Sequence, residues 1–120
     1  MNYDKALDKL IVGIGNDYDS WSGIEPPRDM DELTLKIKTE SSNRFRGELR
    51  ITAGRKFDKV IHGTSVWGFV AKTDGVHKGI PYKLGDVFKA AGWRAPAKHV
   101  RGTIFSKSTD WYQWTGPNYL

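Results

Sequence analysis

The sequence predicts an α+β fold, in which an N-terminal amphipathic helix packs on a mostly antiparallel sheet of about five strands. Apolar residues recur at helical spacing near the N-terminus, and from Glu32 onward they alternate with polar residues at the two-residue period of a strand. Turn-forming residues such as glycine, asparagine and aspartate separate the alternating stretches. The length of 120 residues fits a single domain, with a helix at 3–17, a sheet region at 32–106 and an aromatic C-terminal tail at 110–120.

The N-terminal helix is predicted from five apolar side chains that share one face. These residues are Tyr3, Leu7, Leu10, Ile11 and Ile14. Charged residues occupy many of the positions between them, so the helix is expected to span residues 3–17, with Gly13 and Gly15 weakening its last turn. Residues 20–28 contain Pro26 and Pro27, which cannot continue a helix, and therefore predict a connecting loop.

The first strand is predicted at residues 33–39, where Leu33, Leu35 and Ile37 alternate with polar side chains. A turn is predicted directly after it, at residues 41–43. Further strands are predicted at residues 49–52, 57–62, 65–72 and 101–106. The strand at 65–72 is apolar on both sides, so we expect it at the centre of the sheet.

The connection after the central strand is harder to interpret. Residues 73–75 predict a turn, and residues 79–81 predict an irregular segment or a sheet edge, because Pro81 cannot donate a ladder hydrogen bond. An edge near Pro81 could pair two copies of the chain into a homodimer. Residues 85–91 fit a short helix as well as a strand.

The composition bounds the function. The 19 Lys and Arg residues outnumber the 14 Asp and Glu residues, which leaves a formal net charge of +5 and favours binding to polyanions. The chain has no cysteine, which excludes disulfides, thiolate nucleophiles and cysteine-type zinc sites. The N-terminus does not resemble a signal peptide and no apolar stretch is long enough to span a membrane, so a cytoplasmic protein without membrane contact is predicted.

A basic segment near the C-terminus is the leading candidate site. The residues predicted to bind phosphate are Lys89, Trp93, Arg94, Lys98, His99 and Arg101. Lys and Arg supply charge-assisted donors for phosphate, a tryptophan ring can stack on a base, and the small residues between them let a backbone approach a ligand closely. The alternative is that Trp93 fills the core while the cations are merely solvated.

Other candidate groups favour structural interpretations. A second basic cluster could extend the basic surface around Trp93, although a solvated sheet face is the favoured interpretation. It consists of Arg44, Arg46, Arg50, Arg55, Lys56 and Lys59. The histidines His62, His77 and His99 lack metal-site spacing, and no nucleotide-binding glycine motif is present, so neither a metal nor a cofactor is predicted.

The aromatic tail offers a further candidate surface. Trp111, Tyr112 and Trp114 could form a stacking platform or a strand that binds a partner protein. The alternative, which we favour, is that they pack on the sheet as a capping strand.

Three segments of the chain resemble a group of short bacteriophage-encoded proteins of no assigned function. These segments are residues 54–61, 65–70 and 85–102, the last with the pattern Gly-Asp-Val-(Tyr/Phe)-Lys-Ala-Ala-x-Trp-(Lys/Arg)-Ala-Pro-Ala-Lys-x-x-Arg-Gly. Phe88 stands where Tyr is usual in that group, and Arg94 stands where Lys is usual. The connection over residues 72–84 is longer than the tight Thr-Gly turn that is typical of the group. The resemblance implies a phage origin, action inside an infected bacterium, and a hairpin over residues 66–91 that makes 85–91 a strand.

These observations predict a small, non-enzymatic phage-type protein that binds nucleic acid or a nucleotide around Trp93. The alternative is a host-interaction or anti-defence protein that binds a bacterial protein through its aromatic tail. A nuclease or phosphodiesterase built on His99 or His62 is the least favoured hypothesis, since neither the carboxylates nor the histidines cluster in the sequence.

Overall fold

A computed structural model describes residues 2–22 and 31–118 of the protein. Within these residues two helices precede a series of short strands. They are α1 (Tyr3–Ser22), α2 (Glu32–Glu48), β1 (Leu49–Ala53), β2 (Phe57–His62), β3 (Ser65–Ala71), β4 (Gly75–His77), β5 (Ile80–Tyr82), β6 (Asp86–Ala90), β7 (Pro96–Thr103), β8 (Tyr112–Gln113) and β9 (Gly116–Pro117). The α+β class is therefore confirmed.

The main sheet has five antiparallel strands in the order β1-β2-β3-β6-β7. Strand β3 lies at its centre, as predicted, and is buried on both sides from Trp67 to Ala71. Phe69 of β3 pairs with Phe88 of β6, which confirms that residues 85–91 contain a strand and that 66–91 forms a hairpin.

The last strand of this sheet is offset from its predicted position. Strand β7 begins at Pro96 and ends at Thr103, whereas the prediction was residues 101–106. The shift arises because β7 pairs with β6 immediately after a short connection, with Ala90 opposite Pro96.

Two layers cover the two faces of this sheet. We call the side that carries Val60, Val70 and Val87 the first face, and α1 packs on it through Ala6, Leu7, Leu10 and Ile14. We call the opposite side, which carries Phe69, Ala71 and Phe88, the second face. Full burial of a large apolar side chain such as Phe88 contributes about 1.5–3 kcal/mol to the free energy of unfolding. Covering each face of the sheet therefore stabilises the fold.

Helix α1 confirms the predicted amphipathic helix but continues to Ser22, five residues past the predicted end. Its glycines do not end it, because they allow close packing: a Cβ added at Gly13 would overlap the Tyr112 hydroxyl, and one at Gly15 would overlap the Arg46 guanidinium. The loop predicted at residues 20–28 is therefore helical at its start. The remainder of that loop lies outside the described residues.

The prediction of a strand at residues 33–39 and a turn at 41–43 is wrong, since both segments belong to α2. The Asp31 side chain caps this helix by accepting a 2.6 Å hydrogen bond from the Thr34 N–H. The apolar alternation does not record burial, because Leu33 and Ile37 are 68% and 57% exposed. The sheet region therefore starts at Leu49.

Helix α2 also changes the location of the second basic cluster. Arg44 and Arg46 lie on this helix, so they do not lie on a sheet face with Arg50. Arg46 instead crosses to α1 and forms a 2.6 Å salt bridge with Asp19, which is buried.

The aromatic tail completes the cover of the first face. Strands β8 and β9 form a small hairpin whose Tyr112 is buried in the core against Trp67. The Trp67 indole N–H donates to the Gln113 carbonyl at 2.9 Å, and the Trp114 backbone N–H donates to the Asp17 carboxylate at 2.8 Å. The favoured packing interpretation is correct in its location, although the tail forms its own two-stranded sheet.

The long connection over residues 72–84 forms the β4–β5 hairpin, which covers part of the second face. Its Tyr82 and His77 rings pack against Phe57 and Phe88, with ring centroids 5.3–6.0 Å apart. Pro81 pairs with Val76 inside this hairpin, and pairing of two copies near Pro81 stays a prediction.

The start of α1 is fastened to the sheet by a polar contact. The Tyr3 hydroxyl donates a 2.8 Å hydrogen bond to Asp58, whose other oxygen lies 3.5 Å from the Lys72 ammonium. Partial burial, followed by the Asp58 carboxylate, raises the pKa of Tyr3.

In the described part of the chain, neither helix is long and apolar enough to cross a membrane.

Because the pKa of Tyr3 is raised in the folded protein, the free energy of unfolding should change with pH in the alkaline range. Tyrosine in the unfolded chain loses its proton near pH 10, whereas folded Tyr3 keeps it, so the free energy of unfolding should fall as pH rises above about 10. The slope should be below the roughly 1.4 kcal/mol per pH unit of one full proton, since Tyr3 is partly exposed.

Urea unfolding of the wild type and Tyr3→Phe between about pH 8 and pH 11 tests this expectation. The variant should be less stable by about 1 kcal/mol near pH 8 and should lose less stability at high pH. Parallel pH curves for the two proteins would contradict this role of Tyr3.

Candidate functional site

The connection between β6 and β7 determines the shape of the candidate site. After Ala90 the chain turns tightly, with the Ala91 N–H donating to the Ala95 carbonyl at 2.9 Å. The Trp93 ring then lies against β2, where the Lys59 ammonium is 4.5 Å from the ring centroid. Because β3 lies between β2 and β6, this contact requires the connection to fold back across the second face.

A groove of about 280 Å³ lies beside this contact on the second face. Its floor is aromatic, its first wall is the turn between β1 and β2, and its second wall comes from the β6–β7 connection. The lining residues are Thr52, Ala53, Gly54, Arg55, Lys56, Phe57, Lys59, Phe69, Arg94 and Pro96. We call this feature the basic groove.

The charged side chains of the basic groove have one sign. Arg55 and Lys56 extend from the first wall, Arg94 from the second, and Lys59 lies on β2. Of the lining residues that the structure describes, none is acidic, and none of the four cations forms a salt bridge to a described residue. The groove therefore combines an uncompensated positive potential with an aromatic floor.

Backbone constraints hold the first wall in place. A Cβ added at Gly54 would overlap the carbonyl oxygen of Phe57, so the turn requires glycine there. The Lys72 ammonium donates to the Gly54 carbonyl at 3.1 Å, and the Lys72 N–H donates to the Lys56 carbonyl at 2.9 Å. These bonds fix the turn that carries Arg55 and Lys56.

The β6–β7 connection, which supplies the second wall, contains several exposed small residues. Ala91, Gly92 and Ala95 are exposed, and a Cβ at Gly92 would face open space. Trp93 is 47% exposed, so it does not fill the core. A ligand can therefore reach both the indole ring and the adjacent backbone.

The predicted phosphate site does not form one patch. Arg94 lines the basic groove, and Trp93 lies beside it through its contact with Lys59. Lys98 and His99 are exposed on β7 and do not line the groove. The reason is local: β7 continues away from the connection after Pro96, so its later side chains leave the groove.

Lys89 and Arg101 belong to a different part of the molecule, beside the C-terminal tail. The Arg101 guanidinium donates to the Asn118 carbonyl at 3.4 Å, and the Lys89 ammonium approaches Gly116. Burial, and then the nearby Arg101 charge, lower the pKa of Lys89. Lys89 follows Phe88, which faces the second face, so strand alternation directs Lys89 to the opposite side.

Three residues of the basic groove were expected from the sequence to lie on a solvated sheet face. Arg55, Lys56 and Lys59 join Trp93 and Arg94 through the fold-back of the connection. The gap between the predicted strands at 49–52 and 57–62 is the sequence signal that could have placed Arg55 and Lys56 on a turn. No local pattern predicts which distant segment approaches that turn.

The tail aromatics occupy a separate cluster on the first face. Tyr112 is buried, and Trp111 and Trp114 are partly buried. The Trp114 ring lies 4.9 Å from Trp21, which is 67% exposed at the end of α1, and 5.2 Å from Tyr18.

The histidines are dispersed in the structure. His62 lies 3.8 Å from Glu48 and packs on Phe45, and the His77 ring nitrogen lies 3.2 Å from the Pro96 carbonyl. Throughout residues 2–22 and 31–118, no group of three potential ligands among histidine and carboxylate side chains is placed to hold a metal ion.

Comparison with known proteins identifies a family but no individual relative. Neither a curated protein nor a solved structure matches the chain. A family model matches residues 19–120, which include every residue of the basic groove. The chain therefore belongs to DUF7717, a family of unknown function.

Proposed function

We propose that the protein binds nucleic acid or a nucleotide in the basic groove and acts as a binding protein rather than an enzyme. The contact that carries this proposal is Lys59 against the exposed Trp93 ring, beside a groove whose described charged lining is entirely basic. The ligand needs both negative charge and a flat apolar face, and a nucleotide has both.

Each part of the groove has a matching part of the ligand. The guanidinium groups of Arg55 and Arg94 can donate paired hydrogen bonds to phosphate oxygens, and Lys56 adds a mobile charge. Trp93 and the half-buried Phe57 provide apolar surface for a base. The formal net charge of +5 attracts a polyanion from a distance.

The groups in the groove favour holding an anion over transferring a proton. The described lining supplies hydrogen-bond donors and aromatic faces, whereas His99 is exposed on β7 and His62 packs against Phe45. A nuclease or phosphodiesterase centred on either histidine would therefore act away from the groove.

A second candidate function is binding of a bacterial protein, and the exposed indole of Trp21 beside Trp114 favours it. Aromatic side chains at such positions often carry the binding energy of protein interfaces. Removing the tail cannot test this idea cleanly, because Tyr112 belongs to the core. Trp21→Ala is the sharper variant, since it should abolish protein binding and preserve nucleic-acid binding.

The setting of this function is also a proposal. A phage origin and action in the cytoplasm of an infected bacterium are supported by the sequence resemblance alone. Association of two copies near Pro81 is also a proposal, and its support is the sheet edge that the sequence predicts there.

Two neighbouring cations provide a matched test of the groove. Arg94 lines the groove and Lys98 does not, although both are exposed and each contributes one positive charge. Arg94→Ala should weaken oligonucleotide binding by about 1–3 kcal/mol, whereas Lys98→Ala should change it by a few tenths. Fluorescence anisotropy with a labelled oligonucleotide measures both. Equal losses for the two variants would contradict the assignment of the groove.

The salt dependence should report the number of phosphates that the groove contacts. Affinity for a single strand should fall with a log–log slope of about −0.7 per contact, because each neutralised phosphate releases counterions. Arg94→Ala should make the slope shallower by about one contact, and Lys98→Ala should leave it close to that of the wild type. An affinity independent of salt would rule out a phosphate mechanism.

A further inference from the structure

We infer that the ligand of the basic groove is a single-stranded segment of nucleic acid, with an unpaired base stacked on Trp93 and phosphates held on both walls. This inference rests on the proposed function and narrows its ligand from any phosphate-bearing nucleotide to one class. It follows from the placement of the cations, the exposure of the indole and the shape of the groove.

The cations lie on both sides of the aromatic floor. Arg55 and Lys56 belong to the wall between β1 and β2, and Arg94 belongs to the wall after β6. A mononucleotide carries its phosphate at one end and would engage one wall. A strand that crosses the groove places phosphates on both, so it uses the whole arrangement.

The position of Trp93 selects for an unpaired base. Nearly half of its side chain is exposed, and Lys59 lies over the ring at 4.5 Å. A base can stack on the solvent-facing side of the ring while Lys59 contacts an adjacent phosphate. In a duplex the base faces are covered by neighbouring base pairs, so Trp93 would gain no stacking partner there.

The shape of the groove also disfavours a duplex. The groove is a small concavity of about 280 Å³, whereas a duplex presents its phosphates on a wide convex surface. The four cations of the basic groove, Arg55, Lys56, Lys59 and Arg94, therefore border a concavity that a narrow strand can enter.

The test compares ligands of equal charge on the full-length protein. Labelled oligothymidylate and oligouridylate of about 24 nucleotides, a blunt DNA duplex of about 12 base pairs with nearly the same number of phosphates, and thymidine monophosphate as competitor would be measured by anisotropy at low salt. We expect either single strand to bind at least about tenfold more tightly than the duplex, and the mononucleotide to compete weakly. A preference between the DNA and RNA strands would identify the sugar and would support the inference in either direction.

Variants at Trp93 separate stacking from charge. Trp93→Ala should weaken single-strand binding about tenfold or more and leave duplex binding nearly unchanged, whereas Trp93→Phe should retain most of the preference. Trp21→Ala removes a more exposed indole beside Trp114 and should have no effect. Thermal melts would verify that each variant is folded.

The outcomes distinguish this inference from the proposed function. Equal affinity for single strand and duplex, tight competition by the mononucleotide, or equal losses for both polymers in Trp93→Ala would overturn the single-strand inference. Anion binding through Arg94 would survive those results. If neither polymer binds at low salt, both proposals are wrong.

Discussion

Burial of β3 on both of its faces determines how the other elements are arranged. Trp67 to Ala71 are all buried, with Val70 facing one side of the sheet and Phe69 the other. A strand with apolar side chains on both faces is stable only when each face is covered. The helix α1 and the β8–β9 tail cover the first face, which explains why Tyr112 is a core residue although it lies near the end of the chain.

The cover of the second face is assembled from shorter pieces, and the candidate site results from this difference. The β4–β5 hairpin covers Phe88, and the β6–β7 connection folds across β3 toward β2. Between them part of the aromatic floor remains accessible from the groove. Four cations lie at its edges, so the second face has a positively charged opening at the basic groove.

The sequence predicts those features whose side-chain pattern records burial. Helix α1 and strand β3 were predicted because their apolar periods match the faces that they bury. Helix α2 was missed because Leu33 and Ile37 are exposed, so their alternation carries no information about a core. The Asp31 cap was the available helix signal. The candidate site was half predicted, since Trp93 meets Lys59 only through a fold-back that long-range packing determines.

The candidate site exists only because the β6–β7 connection crosses the second face and places Trp93 against Lys59. Nuclear Overhauser spectroscopy of the free protein can detect this contact. We expect cross-peaks between the Lys59 side-chain methylene protons and the Trp93 indole. The ring should shift those methylene resonances upfield, and they should return to ordinary values in Trp93→Ala. Unshifted Lys59 resonances without indole cross-peaks in the wild type would contradict the fold-back, and with it the basic groove.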